Sequence, residues 1–206
     1  MDTVRCFIAL EMPEQVRDFL AEVQASIRAE MARADPSRSS NHAIKWADPS
    51  GVHLTLKFLG YVPAVRIGAI EDALQAATRA HSLFSVRLGG LGAFPNPQRV
   101  RVMWVGLEGD TEQLLSLQQS VEAEMARLGY PPEARAFSPH LTLARVRDDA
   151  SPAQRRQLGE VLTRLPRPRP IAFQVDAISL MQSHLSPAGA TYSRLAKLPL
   201  SSASEV

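Results

Sequence analysis

Apolar residues recur along this chain in two rhythms, one near 3.6 residues and one of two, and the switches between them mark the elements. Residues 3–11 form a short apolar run and predict a strand. Pro13 suits the first turn of a helix, and Val16, Phe19, Leu20, Val23, Ile27 and Met31 then keep helical spacing to about Ala34. The polar stretch 35–41 reads as a surface loop. Residues 44–46 and 52–59 predict strands, and a helix after Pro63 carries Val65, Ile70, Leu74 and Ala77 on its inner face. In the second half, 84–91 and 99–107 read as strands. Residues 111–128 read as a helix with Leu114, Leu117, Val121 and Met125 inside, stopped by Gly129 and the pair Pro131-Pro132. Residues 140–146 predict a strand, Ser151 is an N-cap before Pro152, and 166–170 (Pro-Arg-Pro-Arg-Pro) is an extended connector. Strands at 173–181 and 192–198 close the chain. Strands and helices mix without strict alternation, which predicts an α+β class with mainly antiparallel sheets.

Composition narrows the picture. The 206 residues suit a single domain of two lobes around a shared cleft, spanning 1–206. Lys and Arg total 23 against 21 Asp and Glu, so any nucleic-acid contact is a local site rather than a basic stripe. The single cysteine, Cys6, excludes an intrachain disulfide and a cysteine metal cluster, and its apolar neighbours mark it as a core thiol. No run reaches the ~18 apolar residues of a membrane span and the start lacks a signal pattern, so the expected location is cytoplasmic. Nothing suggests a coiled coil or a large apolar patch, and a monomer is expected.

One repeat carries chemistry. His53-Leu54-Thr55-Leu56 recurs as His140-Leu141-Thr142-Leu143, one copy in each half of the chain. On a strand, successive side chains alternate faces, so each copy presents histidine and threonine on one side and two leucines on the other. The leucines anchor the strand, and two such strands, expected as central neighbours across a cleft, bring two imidazoles and two hydroxyls together. That set suits a phosphodiester. One imidazole can be neutral and one protonated near neutral pH, giving a base for the attacking water and an acid for the departing oxygen. The threonines can donate hydrogen bonds to non-bridging oxygens. The scheme needs no cofactor and no metal. A zinc reading of the two histidines lacks a third ligand at good spacing.

At these residues the chain resembles the 2H phosphoesterase superfamily, and within it the bacterial and archaeal RNA 2′,3′-cyclic phosphodiesterases, once known as 2′-5′ RNA ligases. The segments that carry the resemblance are residues 5–10, Lys45-Trp46 with 53–60, 102–106, 139–145, and 183–200 with Gly189 and Tyr192. The resemblance implies a bilobal fold with a pseudo-twofold axis and the two motifs lining a central groove. It implies opening of RNA 2′,3′-cyclic phosphate ends to 2′-phosphomonoesters, with His53 as the acid on O3′ and His140 as the base on water. The residues alone are too symmetric to assign the two roles. Thr55 and Thr142 would hold phosphate oxygens. Arg145 falls on the leucine face by strict alternation, and the phosphate role that the resemblance implies for it requires a bulge or strand end.

Other residues read more plainly. Lys57 shares the face of His53 and Thr55 by alternation. Trp46 and Phe58 could stack on a base, with core packing the commoner use of each. His42, His81 and His184 have no motif partner and read as surface histidines. Two competing functions remain at this point: 2′-5′ RNA ligation, the same chemistry run backward, and a non-catalytic RNA-end or nucleotide binder. Intact copies of both histidines and both threonines argue against the binder.

Overall fold

The computed structural model describes residues 2–34, 41–186 and 189–201. Two antiparallel sheets lie at its centre. The first pairs β1 (Thr3–Glu11), β3 (His53–Pro63), β8 (Ala177–Ser186) and β9 (Gly189–Pro199) in the order β3-β1-β8-β9. The second pairs β2 (Ile44–Trp46), β4 (Phe84–Phe94), β5 (Val102–Gly109), β6 (His140–Val146) and β7 (Ile171–Val175) in the order β2-β6-β5-β4-β7. The α+β expectation is met.

The helices are α1 (Glu14–Ala34), α2 (Ile67–Arg79), α3 (Thr111–Arg127) and α4 (Pro152–Arg164). Each bears its apolar stripe inward. Val16, Leu20, Val23, Ile27 and Met31 are buried on α1, and Leu114, Leu117, Val121 and Met125 on α3. Ser151 caps α4 in a reciprocal box with Gln154, which satisfies two donors that the first helical turn leaves free.

The helices exchange sides. α1 follows β1 of the first sheet yet packs on the second, where Gln15 donates to the Ala172 carbonyl on β7. α3 follows β5 of the second sheet yet packs beside α2 on the first, meeting β3. A continuous core results. Ile8, Leu10, Leu54 and Leu56 of the first sheet share one cluster with Met103, Val105, Leu141 and Leu143 of the second. Phe7, Ala9 and Met181 form a separate small cluster on the opposite face of the first sheet.

Three expectations need correction. Val65 is 90% exposed, because a 3-10 turn at Ala64–Arg66 precedes α2 and turns it away from the inner stripe. The strand expected at 173–181 is two strands in different sheets, divided at Asp176. The strand expected from 99 begins at Val102, after a 3-10 turn at Pro97–Arg99 that Asn96 caps. The polar loop at 35–40 lies outside the described residues, while the connector at 166–170 carries no regular element.

α4 is seated on that 3-10 turn so closely that a Cβ on Gly159 would meet the Pro97 carbonyl oxygen at 1.8 Å. Replacing Gly159 with alanine, ordinarily favourable inside a helix, should here destabilise the protein by about 1–3 kcal/mol, as overpacking does. Equilibrium unfolding in denaturant measures this, and a stabilised variant would contradict it.

Candidate active site

The two tetrads lie on strands of different sheets, β3 at the edge of the first and β6 one strand in from the edge of the second. The strands approach each other without pairing. The expectation of neighbouring central strands is thereby corrected. The short β2 explains the difference: it pairs with β6, and a 3-10 turn at Pro49–Gly51 then carries the chain into β3 of the other sheet. As the alternation predicts, Leu54, Leu56, Leu141 and Leu143 are buried in the shared core. His53, Thr55, His140 and Thr142 are half-buried on the opposite faces.

Each imidazole is held the same way. His53 Nδ1 lies 2.9 Å from the Gly51 carbonyl oxygen, and His140 Nδ1 lies 2.7 Å from that of Ser138. A carbonyl only accepts, so Nδ1 carries the hydrogen in both rings and donates it two residues back. The neutral ring then has its lone pair on Nε2, ready to take a proton, and the protonated ring can give one from the same atom. Local chemistry builds both acceptors. Asp48 accepts from the Ser50 amide at 2.9 Å and caps the turn that holds Gly51, and Pro139 stiffens the approach from Ser138.

The rings sit in different company. His53 packs against Phe7 at 4.6 Å and the edge of Tyr192 at 4.9 Å between centroids. Tyr192 belongs to β9, at the far side of its sheet, so that sheet must curl for the contact to form. His140 meets Phe94 edge-on at 4.9 Å and Trp104 at 6.2 Å. The indole crosses β4 so closely that a Cβ on Gly92 would come within 2.3 Å of it. Burial holds the His53 pKa below its ordinary value, opposed by the Gly51 carbonyl and the negative charge of Glu11. Glu11 is the cross-strand partner of His53. Burial tends to raise its carboxyl, but Ser179 donating at 2.5 Å and Arg194 at 3.0 Å hold it below the usual carboxylate range.

Strict alternation fails after each tetrad, at the same place. In β3, Thr55 pairs with Ala9 and Lys57 with Ile8, leaving Leu56 as an extra residue. In β6, Thr142 pairs with Trp104 and Ala144 with Met103, leaving Leu143 extra. These are β-bulges, and each turns the residues beyond it over. Lys57 therefore does not share the face of His53. It is buried, paired with Glu122 at 2.6 Å and donating to the Pro131 carbonyl at 2.8 Å. Ala144 takes the matching buried position. Arg145 returns to the exposed side with His140 and Thr142, which meets the bulge condition attached to it. Phe58 holds the matching position in β3 and is 58% exposed, not packed in the core. Trp46 is half-buried under the Arg28 guanidinium, 4.3 Å from its ring centroid.

The remaining candidates stay apart from the tetrads. His42 and His184 are exposed, while His81 bonds Ser120 at 2.8 Å and is less exposed than expected. Cys6 is in the core, where burial pushes its thiol up to about 11. Among the described residues there is no group of three or more histidine, cysteine or acidic side chains able to hold a metal, and no helix is long and apolar enough to cross a membrane. Phe7, Tyr192, Phe94, Trp104 and Glu11 were not singled out as site residues from sequence. Alternation along residues 5–11 was the available signal for Phe7 and Glu11.

A family model described as the 2′-5′ RNA ligase superfamily matches residues 12–187. The chain belongs to this superfamily, the 2H phosphoesterase group that the tetrads resemble, and is an enzyme. A Methanothermobacter thermautotrophicus protein named RNA 2′,3′-cyclic phosphodiesterase is 33% identical over 92% of this chain and 95% of its own length. A Thermotoga maritima protein of the same name is 31% identical over 92% and 91%. Among solved structures, TT0787 of Thermus thermophilus superposes with a TM-score of 0.76 at 29% identity, covering 97% of this chain and all of that one. E. coli LigT complexed with 3′-AMP shares the fold, with a TM-score of 0.72 at 24% identity over 97% and 99%.

The buried Lys57–Glu122 pair yields a prediction. Lys57→Met should destabilise the protein by roughly 3 kcal/mol, because it leaves the carboxylate without its partner. Adding Glu122→Leu should recover most of that loss. Thermal unfolding of the two variants measures it, and a double variant weaker than the single one would contradict the account.

Proposed function

We propose that the protein hydrolyses RNA 2′,3′-cyclic phosphate ends to 2′-phosphomonoesters without a metal, with His53 as general acid and His140 as general base. The observation that carries this reading is the matched pinning of both Nδ1 atoms, which frees both Nε2 atoms for proton transfer. His140 Nε2 takes a proton from water as its oxygen attacks phosphorus. The P–O3′ bond breaks, and His53 Nε2–H protonates the departing O3′. Thr55 and Thr142 donate to the non-bridging oxygens, and Arg145, turned outward by its bulge, neutralises their charge. The names of relatives at 25–33% identity support the substrate class. Ligation would replace water by an RNA 5′-hydroxyl, and docking that second end costs association entropy. Hydrolysis is therefore the main activity. The partner is the RNA end itself, and the protein acts as a cytoplasmic monomer.

Burial disfavours the charged form of His53 in the free protein, whereas a phosphate anion beside it favours that form. An acid is lost as pH rises through its pKa. The alkaline limb of kcat/KM, which reports the free enzyme, should thus lie below the ordinary imidazole range, and the alkaline limb of kcat should lie at higher pH. Coincident limbs would contradict the assignment of His53.

The direct test uses an oligonucleotide ending in a 2′,3′-cyclic phosphate. The product should be the 2′-monoester, formed equally well in chelator, and His53→Ala or His140→Ala should each nearly abolish turnover. A 3′-monoester, or activity lost in chelator and restored by a divalent metal, would overturn the mechanism.

A further inference from the structure

A bulged residue drops out of the strand ladder, so its backbone groups need other partners when buried. The two bulged leucines face the core, and the carbonyl of each accepts from a buried glutamine on a helix; that of Leu143 also accepts from the Ala47 amide at 2.9 Å, just beyond β2. Gln24 of α1 is 3% exposed, and its amide nitrogen donates to the Leu143 carbonyl at 3.0 Å and the Ala47 carbonyl at 2.8 Å. Gln118 of α3 is 7% exposed and donates to the Leu56 carbonyl at 3.4 Å and to Glu122 at 3.2 Å. Two carbonyl acceptors fix the orientation of the Gln24 amide, since only its NH2 end can serve both. The exchange of helices makes the bracing cross over. α1 follows a strand of the first sheet and braces the motif of the second, and α3 does the reverse.

We infer that Gln24 and Gln118 are positioning residues of the candidate site, each holding one bulge so that the residues around it face the substrate. Gln24 acts through Leu143 on Thr142 and Arg145. Gln118 acts through Leu56 on Thr55 and Phe58. A register slip in either strand would drive Arg145 or Phe58 toward the core and bring the buried Ala144 or Lys57 out. The inference rests on reading the two tetrads as the catalytic pair. It adds that the lobes are not independent half-sites, because each motif is held by a helix that emerges from the other lobe's sheet.

Methionine keeps the volume of glutamine and removes its donors, so Gln24→Met and Gln118→Met are the test variants. Amide hydrogen exchange followed by NMR reads the bracing directly. Gln24→Met should speed exchange at residues 142–146 and leave 55–59 as in the wild type, and Gln118→Met should give the mirror pattern. Each variant should also lose at least tenfold in kcat/KM on a 2′,3′-cyclic phosphate oligonucleotide. Exchange changed only within the mutated helix, or equally in both strands, would overturn the crossed bracing. The crossed pattern with unchanged kcat/KM would overturn the positioning role. A wild type inactive on cyclic phosphate would instead sink the hydrolase reading, and the exchange pattern alone would then decide the bracing.

Discussion

A strand can show the same face at every second residue only while its ladder is unbroken, and each motif strand here breaks it within its tetrad. The extra residues, Leu56 and Leu143, follow their threonines directly. Alternation holds up to the threonine and is inverted just beyond it, and β3 shifts register a second time between the pairs Phe7–Phe58 and Cys6–Gly60. Arg145 thereby reaches the side of His140, and Lys57 is sent inward to Glu122. The bulged leucines turn their carbonyls toward buried helix side chains. Gln24 of α1 meets the Leu143 carbonyl together with the Ala47 amide, and Gln118 of α3 meets that of Leu56.

The shared geometry ends at the rings. Both histidines are pinned through Nδ1 to a carbonyl two residues back, yet His53 sits between Phe7 and Tyr192 beside Glu11, and His140 lies near Phe94 and Trp104. Two identical tetrads in unlike surroundings is the arrangement expected when one ring must give a proton and the other take it. Sequence symmetry supplies the pair, and the environment supplies the difference. Glu11 contributes a fixed negative charge, kept ionised by Ser179 and Arg194, on the side of the proposed acid.

Much of this is legible in the sequence because the tetrads combine a fixed chemical content with a two-residue period. The buried leucines, the half-buried histidines and the helix stripes of α1 and α3 all follow from periodicity. What periodicity misses is any local change of phase. Alternation puts Lys57 on the wrong face, and Phe58 leaves the core expected for it, for the same reason: one extra residue in β3. Arg145 escapes that error only because a bulge is the stated condition of its role. Val65 fails through a change from α to 3-10 geometry, and the division at Asp176 is missed because an apolar run does not say which sheet it serves. Tyr192 reaches His53 through the curl of a whole sheet, which no short window of sequence contains.

The central claim is that two imidazoles divide one proton transfer between them, and leaving-group chemistry separates their parts most directly. A substrate whose O3′ is replaced by a group that departs without a proton has no need of the acid but still needs the base. On that substrate His53→Ala should recover most of the wild-type rate, while His140→Ala stays inactive. Recovery of His140→Ala alone would reverse the two roles, and recovery of neither would contradict acid–base catalysis by this pair.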